Sequence, residues 1–178
     1  AVALTGDSTL TGNTLALGAG LIGGGHDLTL DFTTAFTLPG GITGVDNFTA
    51  QKAINVNGTF TTTGNQTYNS AVKLTGDSTL EAGAGNITFG STVDGLFSLN
   101  ANSTGTTKFG GAVGGTDKLT SLTTNAGGTT EINGGAVSTS GNQVYNDAVK
   151  LGRNTTVVAG TGYITFGSTV NGLYSLTA

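Results

Sequence analysis

The stretch GNQTYNSAVKLTGDSTLEAGAGNITFGSTVDGLFSLNA, residues 64 to 101, settles how this chain is read. It returns at residues 141 to 178 as GNQVYNDAVKLGRNTTVVAGTGYITFGSTVNGLYSLTA. The two copies align without a gap at an offset of 77, with 25 of 38 positions identical. A shorter match opens the chain, where AVALTGDSTL at 1 to 10 corresponds to AVKLTGDSTL at 71 to 80, now at an offset of 70. Self-similarity of this kind marks a repeat architecture, in which each unit buries its apolar side only by stacking on its neighbours. The chain is therefore expected to be one continuous solenoid made of a partial, divergent copy (1–63), a full copy (64–140) and a partial copy (141–178).

A shorter period sits inside the module. The valines that close YNSAV, FGSTV, FGGAV and NGGAV are Val72, Val93, Val113 and Val137, at successive offsets of 21, 20 and 24. Continuing to Val149 gives an offset of only 12, which makes either that turn irregular or that alignment wrong. Local patterning is that of strands. LTLDF at 28–32, ITF at 87–89, LFSL at 96–99, LTSL at 119–122 and ITF at 164–166 carry alternating or flanking apolar residues between Gly and Asn clusters. Two or three short strands per turn of about 20 residues, stacked at about 4.8 Å, predict an all-β, parallel β-helix (β-solenoid) of roughly nine turns and about 40 Å. The preferred hand of parallel crossovers makes it right-handed. An antiparallel sandwich or barrel is the alternative, but hairpin folds have no reason to nest a short unit of this kind inside a longer one.

Composition agrees. The 178 residues include 32 Gly, 35 Thr and 15 Asn but one Pro and no Cys, Met or Trp. Gly and Thr both disfavour helix, one through backbone entropy and the other through χ1 restriction. Regularly spaced Leu, Val, Ile and Phe argue against a flexible linker, and glycine lacks the three-residue period of collagen. Six basic and ten acidic residues form no basic stripe, which removes the electrostatic source of nucleic-acid binding. No apolar run is long enough for a membrane span, so no membrane insertion is expected, and the first ten residues lack the features of a signal peptide. The absence of cysteine is compatible with export, since a secreted protein held by another device needs no disulfides.

β-Helical enzymes need carboxylates gathered at one place along the rod. Here Asp77 becomes Asn154, Asp94 becomes Asn171 and Glu81 becomes Val158 between copies, which points to turn residues in place of proton-transfer groups. His26, Asp27, Asp31, Asp46 and Lys52 fall outside the good repeat match, and His26 with Asp27 and Asp31 is a candidate acid–base or metal cluster. The alternation in LTLDF instead points Leu28, Leu30 and Phe32 inward and the acids to water. GGGHDLTL touches on a calcium-binding nonapeptide, but its Asp falls one position early and no second copy follows. The Thr-rich strings FTTTG, KLTGDST, NITFGST and GTTKFG shift register from turn to turn when read along the chain, which argues against a flat threonine array of the ice-binding kind. Tyr68 with Tyr145, and Phe97 with Tyr174, recur at 77 and are either core stacks or platforms for sugar rings. No catalytic, cofactor-binding or metal residue is assigned, and no enzyme activity is expected.

The strings ITFGSTVDGLFSL, KFGGAVGGTDKLTSLTTNAGGTTEINGGAVSTSGNQVYNDAVKLG and NTTVVAGTGYITFGSTV resemble the repeats of very large bacterial surface exoproteins, the filamentous-haemagglutinin-like adhesins and related autotransporter passengers. The resemblance implies a β-helical stalk secreted to the outside of a Gram-negative cell, serving adhesion, aggregation or display. Implied partners are surface glycans or proteins of host or neighbouring cells, or further copies stacked end to end into a filament or surface layer. A carbohydrate-active β-helix enzyme, a lyase or hydrolase, is the alternative from another class.

Overall fold

The computed structural model describes residues 1–17, 19–38 and 41–178. Among these residues, twenty-three short strands and no helix make a parallel β-solenoid, in which strands away from the two ends stack between a coil before and a coil after. The rod has three faces. The first runs through Val2–Ala3, Leu21–Ile22, Ile42–Val45, the second halves of Ile54–Thr62 and Val72–Glu81, then Leu99–Asn102, Leu122–Thr124, Gln143–Tyr145 and Ile164–Phe166. The second runs from Ser8–Gly12 and Leu28–Phe32 through Phe48–Ala50, Gln66–Tyr68 and Ile87–Phe89. It continues through Thr106–Phe109, Thr129–Ile132, Ala148–Leu151 and Val170–Asn171. Phe36–Thr37, the first halves of Ile54–Thr62 and Val72–Glu81, Val93–Asp94, Val113, Ala136–Ser138, Thr155–Val158 and Leu176–Thr177 form the third. Nine strands on each of the first two faces give nine coils.

Parallel, in-register stacking converts the loose period into columns. On the third face Phe36, Ile54, Val72, Val93, Val113, Val137 and Val157 sit one above another, all buried. The step after Val137 thus leads to Val157, and the alignment that continued to Val149 is wrong. Val149 belongs to the second face, where it stacks on Thr130. On that face Leu30, Ala50, Tyr68, Phe89, Phe109, Ile132 and Leu151 make the inward column. Its rings Tyr68, Phe89 and Phe109 stack at 5.2 Å with interplanar angles of 14° and 5°, a spacing imposed by the strand separation of about 4.8 Å.

LTLDF at 28–32 is a strand with Leu28, Leu30 and Phe32 buried and Thr29 and Asp31 turned outward. The tripeptides 87–89 and 164–166 are strands as well. LFSL and LTSL are corners for most of their length, and only Leu99 and Leu122 enter strands. The first of these corners is set by Gly95, whose φ of +137° nearly equals the +139° of Gly172 at the same place in the other copy. A side chain at Gly95 would also meet the Leu74 carbonyl oxygen at 2.5 Å, so this corner needs glycine on two grounds.

Replacing Phe89 by Ala removes the middle ring of a fully buried stack and is expected to cost about 3–5 kcal/mol. Replacing its outward neighbour Thr88 by Ala is expected to change stability by less than about 0.5 kcal/mol. Urea unfolding of the two variants beside the parent checks both.

Candidate functional site

Most chemistry-bearing side chains of this chain are used to hold one coil to the next. At the corner that enters the second face, Asp27 N–H donates to Asp7 Oδ1, Asn47 N–H to Asp27 Oδ1 and Asn65 N–H to Asn47 Oδ1. Asn86 N–H then donates to Asn65 Oδ1 and Thr106 N–H to Asn86 Oδ1, all five bonds between 2.7 and 3.0 Å. Each side-chain oxygen accepts a backbone N–H from the coil above at a bend, where no ladder partner is in line. Such groups are costly when left unpaired.

The same acceptor role at another corner explains the exchange of Asp77 for Asn154 between copies. Asp77 Oδ1 accepts the Ser98 N–H at 2.9 Å, and Asn154 Oδ1 accepts the Ser175 N–H at 3.2 Å. Only the acceptor oxygen is used, and Asp and Asn offer the same one. Glu81 contributes its backbone carbonyl to the fold, and so does Val158 in its place; the outward side chain is free to vary.

Inside the rod a polar device appears twice. Gln66 is fully buried, its Nε2 donating to the carbonyls of Phe60 at 2.9 Å and Glu81 at 3.0 Å, while its Oε1 accepts the Tyr68 hydroxyl at 2.9 Å. In the second copy, Gln143 Nε2 donates to the carbonyls of Val137 and Val158, and Tyr145 donates to Gln143 Oε1. The glutamine ties two coils together and satisfies the tyrosine. Burial pushes both phenols well above the usual tyrosine range. Tyr68 and Tyr145 are therefore core members, and neither is open to a sugar. Phe97 packs partly against the core, and Tyr174 is half exposed.

The acids singled out around His26 do not converge. Asp27 belongs to the corner ladder, where hydrogen bonds from the Asn47 side chain and backbone hold its carboxyl below the usual range. Asp31 lies four residues along an extended strand, about 13 Å away. His26 Nδ1 is 3.8 Å from Asp7 Oδ1, Asp46 Oδ1 accepts the Thr63 hydroxyl at 2.8 Å, and Lys52 is exposed. No three His, Cys, Asp or Glu side chains come together among the described residues. Gly24 and Gly25 of GGGHDLTL take left-handed φ values of +62° and +81° and make a turn.

Two features escaped the sequence reading. Threonines do align: Thr9, Thr29, Thr49, Thr67 and Thr88 are register partners down five coils of the second face. Of the strings FTTTG, KLTGDST, NITFGST and GTTKFG, NITFGST alone contributes to this column, through Thr88; the others shift as expected, Thr61 pairing with Glu81 and Thr107 with Ile87. The column is a single file flanked by Asp31, Gln51 and Asn69, and it passes into Lys108, Glu131 and Lys150. The second feature is a groove of about 330 Å³ across the third face, floored by Ala53, Ala71 and Val72 and rimmed by Lys73, Asp94 and Asp117. Lys73 Nζ lies 3.3 Å from Asp117 Oδ2, and Asp94 Oδ1 accepts the N–H groups of Thr116 and Asp117 at 2.8 and 3.3 Å. The groove exists because the coil that leads from Ala101 to its partner Thr124 is longer than the ones before and after it and loops out at Gly114 to Lys118. That extra length was the available signal.

No protein-family model, curated protein or solved structure matches this chain.

Among the described residues, Asp147 is an ionisable group buried without a salt-bridge partner. It is 2% exposed, its Oδ1 accepting the Gly128 N–H at 2.7 Å and its Oδ2 facing the Thr130 hydroxyl at 3.4 Å. Burial raises its pKa despite these bonds, and the other copy carries Ser70 here.

A folded-state pKa above the unfolded one means that the folded chain binds the proton more tightly. Stability then falls as pH rises between the two values and stays lower above them. Asp147→Asn keeps the acceptor and removes the charge. Its melting midpoint should exceed the parent's at neutral pH, and the two should converge below the ordinary carboxylate pKa of about 3.9. At its corner, Asp77→Asn is expected to be neutral, whereas Gln66→Leu, which strands the Tyr68 hydroxyl and two carbonyls, should cost at least about 2 kcal/mol. Denaturant midpoints of the three variants give the readout.

Proposed function

We propose that this chain is a structural and adhesive rod, a stalk segment of a secreted bacterial cell-surface exoprotein. Its work is reach and surface contact, with no chemical turnover. The observation that supports this most directly is the use made of the polar side chains. Asp7, Asp27, Asn47, Asn65, Asn86, Asp77 and Asn154 serve as acceptors from one coil to the next. An enzyme keeps its acids in one place and in one protonation class, whereas a rod needs them only as hydrogen-bond acceptors. Surface glycans or proteins of a neighbouring cell are the partners this reading implies, met along the faces of the rod. The resemblance of the repeats to filamentous-haemagglutinin-like adhesins points the same way.

Lys73, Asp94 and Asp117 at the groove are the feature that favours the enzymatic alternative, since two carboxylates and an ammonium gather there. Beads coated with the chain should adhere to cultured cells or bacteria above uncoated controls and without consuming any polysaccharide. Depolymerisation of a polysaccharide panel, lost in Asp94→Asn or Asp117→Asn, would overturn the structural reading in favour of the enzyme.

A further inference from the structure

The repeat and the coil do not share a period. GNQTYN places Gln66 and Tyr68 on the second face of the fourth coil, whereas GNQVYN places Gln143 and Tyr145 on the first face of the eighth. The move is four coils less one face, or eleven strand segments. AVAL, AVKL and AVKL behave alike: Val2 lies on the first face, Val72 on the third and Val149 on the second. Both steps again span eleven segments, although the first is an offset of 70 and the second an offset of 77. The difference in chain length is taken up along the way without changing the segment count.

We infer that the unit of this protein is the single strand-and-corner segment, that the three faces are interchangeable, and that each module turns the rod's recurring surface by one face. The buried network supports this, because the same Gln–Tyr device is built on the equivalent backbone carbonyls, Phe60 and Glu81 in one copy and Val137 and Val158 in the other, on two different faces. A stretch of sequence therefore has no face address, and its direction is set by the number of segments before it. Surface residues that recur are carried round with it. Lys73 beside Asp94, with Leu96 68% exposed, looks out from the third face and its edge, while Lys150 beside Asn171, with Leu173 fully exposed, looks out from the second. Three successive modules would show this surface in all three directions and return it to the first after eleven coils, about 53 Å along the rod. Such a display suits partners met from any side, in contrast to a flat surface met by one face. The rotation belongs to the fold and holds for a stalk and an enzyme scaffold alike.

The chain contains no cysteine, so paired labels can be placed cleanly. In a shortened chain lacking residues 71–147, Lys150 should take the place of Lys73 on the third face. The spin-label distance from Thr49 to Lys150 should then equal the Thr49–Lys73 distance of the intact chain. In a lengthened chain with residues 71–147 repeated after Asp147, the inserted Lys73 equivalent should reproduce the intact Thr49–Lys150 distance. The scattering length should also grow by about 18 Å, the rise of three and two-thirds coils. Matched distances in either chain would establish the inference; equivalent labels that line up along one face, or the failure of both chains to fold, would overturn it.

Discussion

Everything in this protein depends on the parallel, in-register stacking of one coil on the next. A strand inside the rod finds its hydrogen-bond partners above and below, so regular backbone groups are paired without any contribution from side chains. The unsolved places are the corners, where the backbone bends away from its ladder. There the Asp and Asn side chains supply the missing acceptor, each to the coil above. The composition follows from this geometry. Threonine suits the outward strand positions, glycine the corners and asparagine the corner ladders, while charge has little to do.

Because the acceptor is an oxygen and not a charge, Asp and Asn exchange freely between copies, as at 77 and 154. The same logic sorts the interior. Gln66 and Gln143 are retained with their tyrosines because each satisfies a phenol and two carbonyls in a place water does not reach. Asp147 departs from the pattern. It holds a carboxylate where its counterpart is serine, and burial raises its pKa. The fold accommodates that charge by giving it a backbone N–H, at some expense in stability at neutral pH.

Much of the fold was legible in the residues. The strand at 28–32 and its inward Leu28, Leu30 and Phe32 follow from alternation alone, and the Val72, Val93, Val113, Val137 column follows from matching the strings that end in valine. The continuation to Val149 failed because a string match cannot tell a coil from a third of a coil: every segment repeats the same inward-outward pattern, so equivalent strings need not share a face. The threonine column stayed hidden for a related reason. Its spacing along the chain is uneven, and only the pairings of Thr49 with Thr67 and Thr67 with Thr88 remove that variation.

That this chain is a β-solenoid, which side of each strand is apolar and which acids the other copy replaces can all be read from the residues alone. Those properties are local: they depend on alternation within a strand and on comparison of one copy with another. Which residues stand side by side on a face emerged only once the coils were stacked, as did the meeting of Lys73 with the distant Asp117 and the advance of the module by eleven segments. Those properties depend on the sum of all the corner lengths. A slightly longer corner leaves every local pattern unchanged while moving the outward residues that come together.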